Sequence, residues 1–225
     1  MNRITHALAP LILVACVSCG DSGDTADAHA AAPATAGAVL AVDGIPVFPE
    51  DVDRIADALA DLFPEYVERH RRRLALTNVV LARTALHAKN VEAREEARMS
   101  AEAAAEALRQ GQAPGREPQS DSGHWKKLGL ELWSRLRVQE EGSWSEPFED
   151  LGRFLIVKRT KREQVAEEAE GEVYSMEILE FPYLESGKVT TGVEAAIDGS
   201  LLEILDPDWA ELVPEEWKYR MRGEQ

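Results

Sequence analysis

One stretch fixes how the body of this chain must begin. Val39-Leu40-Ala41-Val42 and Ile45-Pro46-Val47-Phe48 are short apolar runs separated only by Asp43-Gly44. An Asp-Gly link accepts the positive φ angles of a tight antiparallel turn, so the two runs are expected to pair as a β-hairpin. Pro49-Glu50-Asp51 then opens a segment in which Val52, Ile55, Ala56, Leu59, Leu62 and Phe63 recur at helical spacing. Pro64 ends it, because proline has no amide hydrogen to continue the ladder.

Beyond Pro64 the spacing predicts a second helix over Glu65 to about Asn90 and a third from Val91 to Gln110, stopped by Gly111. The third has a run of alanines, Ala101 to Ala107, whose small side chains suit either close packing or exposure. Gln112 to Gly123, rich in Pro, Gly and Ser, is expected to be loop. His124 to Gln139 reads as helix again, with Trp125, Leu128, Leu132 and Leu136 on one side. Phe154 to Val157 is a compact strand and Val173 to Tyr183 a second, with an acidic piece from Glu163 to Glu172 between them. Asp206-Pro207 and Pro214-Glu215 carry the start signals of two short closing helices. The expected class is α+β.

Ahead of the hairpin, Met1-Asn2-Arg3 and the apolar run Ala7 to Ala15 have the form of a secretory signal. The run is shorter than the ~20 residues that span a bilayer, so cleavage is expected rather than a lasting transmembrane helix. Leu13-Val14-Ala15-Cys16 resembles the bacterial lipobox, which implies lipidation at Cys16, with Cys19 as the alternative. Neither cysteine is followed by Asp, which favours the outer membrane, facing the periplasm. Residues 20–38 are mostly Gly, Ala, Ser, Thr and Asp and read as a flexible tether.

No other cysteine follows Cys19, so the folded body has no disulfide, thiol nucleophile or cysteine metal site. Its stability must come from packing. The formal net charge of −16 repels nucleic acid and anionic lipid surfaces, and neither is expected as a direct partner of the body. The carboxylates Glu167, Glu168, Glu170 and Glu172 lack the pattern of a metal site. No metal or cofactor is expected.

Three segments together resemble the periplasmic parvulin foldases of the SurA and PrsA type, peptidyl-prolyl isomerases and chaperones of the PpiC-like kind. Val39 to Val47 ahead of Glu50-Asp51-Val52-Asp53 is similar to the hairpin and first helix of their N-terminal chaperone module. Glu95-Glu96-Ala97-Arg98 through Ala104, Leu108 and Gly111 is similar to the first helix of a parvulin domain. Glu141-Gly142-Ser143-Trp144-Ser145-Glu146-Pro147-Phe148, followed by Gly152, Ile156 and Val157, resembles the turn and last strand of that domain. The resemblance implies a SurA-N-like helical module over 39–90 and a reduced parvulin-like small-sheet domain over 91–162. Residues 163–225 form a C-terminal extension outside it.

The family's isomerase pocket uses two histidines, a cysteine or aspartate, and apolar walls to twist an X-Pro amide whose rotational barrier is ~18–20 kcal/mol. Here the last-strand histidine falls at Phe154, and the aromatic residue after the helix-ending glycine falls at Pro114. His87 is the only residue that could stand for the first-strand histidine, and its helical context makes it a helix-surface residue. His124 stands at a helix start, where a structural role is expected. Trp144, Phe148 and Phe154 are the candidates for contact with a peptide, and Arg69-His70-Arg71-Arg72-Arg73 reads as a solvated basic helix face. The resemblance implies a membrane-tethered foldase or chaperone for unfolded or assembling envelope polypeptides, with isomerase activity weak or lost. A non-catalytic structural or assembly lipoprotein that binds one specific envelope partner is the alternative.

Overall fold

The computed structural model describes residues 35–165 and 172–218. The signal segment, Cys16, Cys19, almost all of the tether and the middle of the acidic piece lie outside the described residues.

The hairpin forms as its sequence requires. β1 (Leu40–Val42) and β2 (Ile45–Val47) pair antiparallel, with Val42 opposite Ile45. Asp43 and Gly44 both have positive φ, 50° and 84°, as a two-residue turn of this hand demands. Pro49 starts α1 (Pro49–Leu62), whose buried side is the predicted set Val52, Ile55, Ala56, Leu59 and Leu62.

The expected helix over 65–90 starts three residues late and is not one regular helix. It consists of α2 (Glu68–Ala75), a π-helical turn at Leu76–Val80, and α3 (Leu81–Lys89). The π-turn changes which side chains face inward: α2 buries only Ala75, whereas Leu76, Val79, Val80 and Leu81 to Leu86 are all buried. Asn90 separates α3 from α4 (Val91–Arg109). The alanines of α4 are close-packed: Ala97, Ala101, Ala104 and Ala105 lie against Phe154, Ile156, Leu179 and Phe181 in a core cluster of their own.

The segment 112–123 is not all loop. Gln119–Gly123 forms β3, an exposed edge strand. Its residues, Gln-Ser-Asp-Ser-Gly, have no apolar alternation, so pairing with a neighbour, rather than burial, makes the strand. The helix expected from His124 to Gln139 breaks at Gly129, which has φ 82°, into α5 (Trp125–Leu128) and α6 (Leu130–Val138).

β4 (Phe148–Asp150), β5 (Arg153–Gln164) and β6 (Glu172–Pro182) complete an antiparallel sheet in the order β3-β6-β5-β4. β5 outruns the compact apolar strand expected from sequence. Its charged second half, Lys158 to Gln164, continues the pairing with β6 in the exposed part of the ladder, past a bulge between Arg159 and Lys161. The expected boundary at 162 thus falls within β5.

The C-terminal segment is built into both sheets. Besides β6 it supplies α7 (Val189–Asp198) and β7 (Leu202–Ile204), neither foreseen, and β7 pairs with the free side of β1 to give the order β2-β1-β7. Asp43 fixes this junction. Its carboxylate accepts hydrogen bonds from Lys89 Nζ (2.7 Å), Ser200 Oγ (2.9 Å) and the Leu201 amide (2.9 Å). Two short helices close the chain as expected, the first a 3-10 helix at Pro207–Leu212 capped by Asp206, the second α8 (Glu215–Lys218). The result is an α+β fold with two small antiparallel sheets.

Candidate functional site

A cavity of about 410 Å³ lies where the hairpin and α3 meet the sheet, a size within the range of ligand pockets. His87, Phe148 and Phe154, three residues singled out from sequence, line it together. His87 is therefore not a plain helix-surface residue: it is half-buried near the end of α3 and shares the cavity lining with Phe154 of β5. Burial, and then the guanidinium of Arg94, pushes its imidazole below the ordinary 6.5, so it is neutral at pH 7.

Phe154 and Phe148 are both 5% exposed. Their rings are parts of the two cores whose edges form cavity wall, so they offer a ligand only a rim of apolar surface. Phe154 is packed by its neighbours from several directions. Arg94 lies 5.1 Å above its ring, Tyr183 is tilted against it at 6.3 Å, and the alanines of α4 share its cluster. At the position where the resemblance puts a histidine, there is thus a buried hydrocarbon ring with no group to donate or accept a proton.

The remaining candidates lie elsewhere. Trp144 lines a separate cavity of about 270 Å³ with Leu108 and Arg109, and Lys158 sits 5.0 Å over its indole. His124 is exposed and caps α5, its Nδ1 accepting from the Lys126 amide at 3.2 Å, which is the structural role expected of it. Two members of the basic run are engaged in ion pairs on the surface. Arg72 binds Asp53 at 2.7 Å and lies over Trp209, and Arg69 pairs with Glu211.

The polar part of the site was missed by sequence reasoning. Glu131 of α6 is only 2% exposed, and three arginines converge on it: Arg54 from α1 by two bonds of 2.6 and 2.7 Å, Arg135 at 3.1 Å and Arg83 at 3.4 Å. Burial pushes its carboxyl up, but Arg83, Arg54 and Arg135 outweigh this and hold it below the ordinary range. Arg83 also pairs with Asp51 at 3.1 Å. In the same lining Arg94 makes a two-point pair with Glu149, at 3.0 and 2.7 Å, and the Tyr183 hydroxyl donates to the same carboxylate at 2.8 Å. Burial, then Glu149, pushes that phenol far above its usual range, so it remains a donor.

A signal for this network does exist in the sequence. Glu131 sits within Leu130-Glu131-Leu132-Trp133 and Arg83 within Leu81-Ala82-Arg83-Thr84-Ala85-Leu86, lone charges on otherwise apolar helix faces. A charge in such a place needs a partner of opposite sign. Among the described residues there is no cluster of three or more metal-ligand side chains, and no helix is long and apolar enough to cross a membrane. Compared with models of known protein families, with curated proteins and with solved structures, the chain matches none.

Proposed function

We propose that this chain is a membrane-tethered extracytoplasmic foldase of the parvulin kind that binds unfolded or assembling envelope polypeptides and has lost most or all isomerase activity. The observation that carries the reading is the cavity where the hairpin module meets the sheet, because the segments that resemble the family's chaperone module and last strand each supply part of its wall. Phe48 and Pro46 come from the first, Phe148 and Phe154 from the second. Aromatic and proline edges beside fixed polar groups suit a short piece of extended chain.

Two features support loss of the isomerase chemistry. The position of the last-strand histidine holds the buried Phe154, and the cavity has several charged groups where amide twisting calls for a dry, apolar site. His87 is neutral and half-buried, and no second histidine lines the same cavity. Anchoring through Cys16, or Cys19, would hold this body at the membrane by a lipid.

The test pairs two assays on the purified protein. Suppression of aggregation of several unrelated unfolded proteins, with X-Pro isomerisation at the uncatalysed rate, is the expected outcome. Isomerisation well above that rate would mean an active enzyme with an unconventional site. No suppression, together with capture of a single envelope protein, would overturn the foldase reading in favour of a dedicated partner protein.

A further inference from the structure

The charged groups that line the cavity do not balance. Three guanidiniums, Arg83, Arg94 and Arg135, stand beside two carboxylates, Asp51 and Glu149. Arg94 and Glu149 satisfy each other at two points, Arg83 has Asp51 and reaches Glu131 at 3.4 Å, and Arg54, outside the lining, takes both oxygens of Glu131 and also donates to Ser134 Oγ at 2.7 Å. That leaves Arg135, which has one bond of 3.1 Å to a carboxylate already engaged by Arg54. Its guanidinium lies 5.0 Å over the Phe148 ring and lines the cavity, with 34% of the side chain exposed.

One unbalanced positive charge therefore faces a space walled by Phe48, Phe148 and Pro46, in a protein whose formal net charge is −16. Here a fixed cation sits beside apolar edges. Burial and the neighbouring Arg54 push the Arg135 guanidinium down from its usual value, which an added anion would reverse. A guanidinium offers two parallel N–H groups, the geometry that matches a carboxylate.

We propose that the cavity binds the C-terminal end of a polypeptide, its terminal carboxylate on Arg135 and its last apolar side chain against Phe48 and Pro46. A chain end is the favoured source of the carboxylate because its last residue carries an apolar side chain beside the charge, matching the edges of Phe48 and Pro46 beside Arg135, whereas an Asp or Glu side chain brings the charge alone. Capture of a terminal carboxylate is a recurring mode of peptide recognition. The inference rests on the foldase reading, since it names the part of a client that the site holds.

The test measures binding of acetylated Ala-Pro-Phe peptides to the purified protein by titration calorimetry. One peptide has a free C-terminal acid, one a C-terminal amide, and one ends in an amidated Glu. Losing a charge-assisted hydrogen-bond pair corresponds to roughly tenfold to a hundredfold in affinity. The acid should bind tighter than the amide by that factor, and the difference should vanish in Arg135→Met and largely return in Arg135→Lys. Arg135→Met should remain folded, because Arg54 and Arg83 still hold Glu131. The acid preference should also weaken from 0.05 to 0.5 M salt, a reading on the unaltered protein that needs no variant.

Equal binding of acid and amide overturns this inference and leaves the foldase reading intact. Preference for the amidated Glu over the free terminus overturns the assignment to a chain end. If no peptide binds and aggregation is not suppressed either, the inference falls together with the reading it rests on.

Discussion

Replacing Glu131 with Gln removes one negative charge from the point where α1, α3 and α6 are tied together, and the consequence can be worked from the geometry. The side chain is 2% exposed and keeps its size, so packing is nearly unchanged and the effect is electrostatic. Arg83, 11% exposed, is left with Asp51 alone, while Arg54 and Arg135 are exposed enough for water to compensate part of their loss. Removing one partner of a buried ion pair costs about 3–5 kcal/mol, and the partial exposure of two arginines puts the expected value near the lower end, about 3 kcal/mol. Against a domain stability of about 5–15 kcal/mol, that is a large fraction. With a urea slope of about 1–3 kcal/mol per molar, the unfolding midpoint should fall by about 1–3 M. The buried Trp133, two residues along α6, gives the fluorescence signal. Glu102→Gln, in an exposed pair on α4, should leave the midpoint in place. A loss below about 1 kcal/mol for Glu131→Gln would refute the claim that this network holds the cavity wall together.

The same group sets a pH dependence. The Glu131 carboxyl is held below its ordinary 4.5 in the folded state, so its stabilisation is present above that pH and is lost as the pH falls through the folded value. The urea midpoint of the unaltered protein should therefore drop below about pH 4.5 and that of Glu131→Gln should drop less; Asp150, whose carboxyl burial pushes up, works in the opposite direction and moderates the slope. Asp43→Ala removes three bonds that pin β7 to the hairpin, and at partial exposure should cost about 1–2 kcal/mol. Faster hydrogen exchange at the Leu205 amide, which donates to the Val39 carbonyl across the same junction, would locate that loss. Gly129→Ala forces an alanine to φ 82°, with open space around the new methyl, so the cost is backbone strain of about 1–2 kcal/mol and a melting temperature lower by about 2–8 °C.

What was legible in the sequence had a local cause. The hairpin needed only Asp43-Gly44, α1 only Pro49 and a regular apolar stripe, and the core of β5 only its run of Phe154 to Val157. What was not legible depended on partners far along the chain. β3 is polar and exists because β6 lies beside it, and β7 is three residues long and is a strand because β1 has a free side. The π-turn at Leu76–Val80 leaves no mark in its own residues, Leu-Thr-Asn-Val-Val, which an ordinary helix would accept equally well.

The site divides the same way. His87, Phe148 and Phe154 were chosen by resemblance and do share one cavity, although Phe148 and Phe154 serve mainly as core. Trp144, chosen on the same ground, lies at another cavity. The pairs Arg54–Glu131 and Arg94–Glu149 join residues 77 and 55 positions apart, and no periodicity predicts such a meeting. Only the lone charges on apolar faces hinted at it.

The most direct test of the account places a photo-reactive phenylalanine analogue at Phe48, half-buried at the cavity, and a second at Met99, on the exposed side of α4. Each protein is illuminated with several unrelated unfolded polypeptides. Cross-links from position 48 to all of them, with few from position 99, are the predicted result. Cross-links that are equally frequent from both positions, or that are absent from position 48, would contradict the claim that this cavity is where an unfolded client is held.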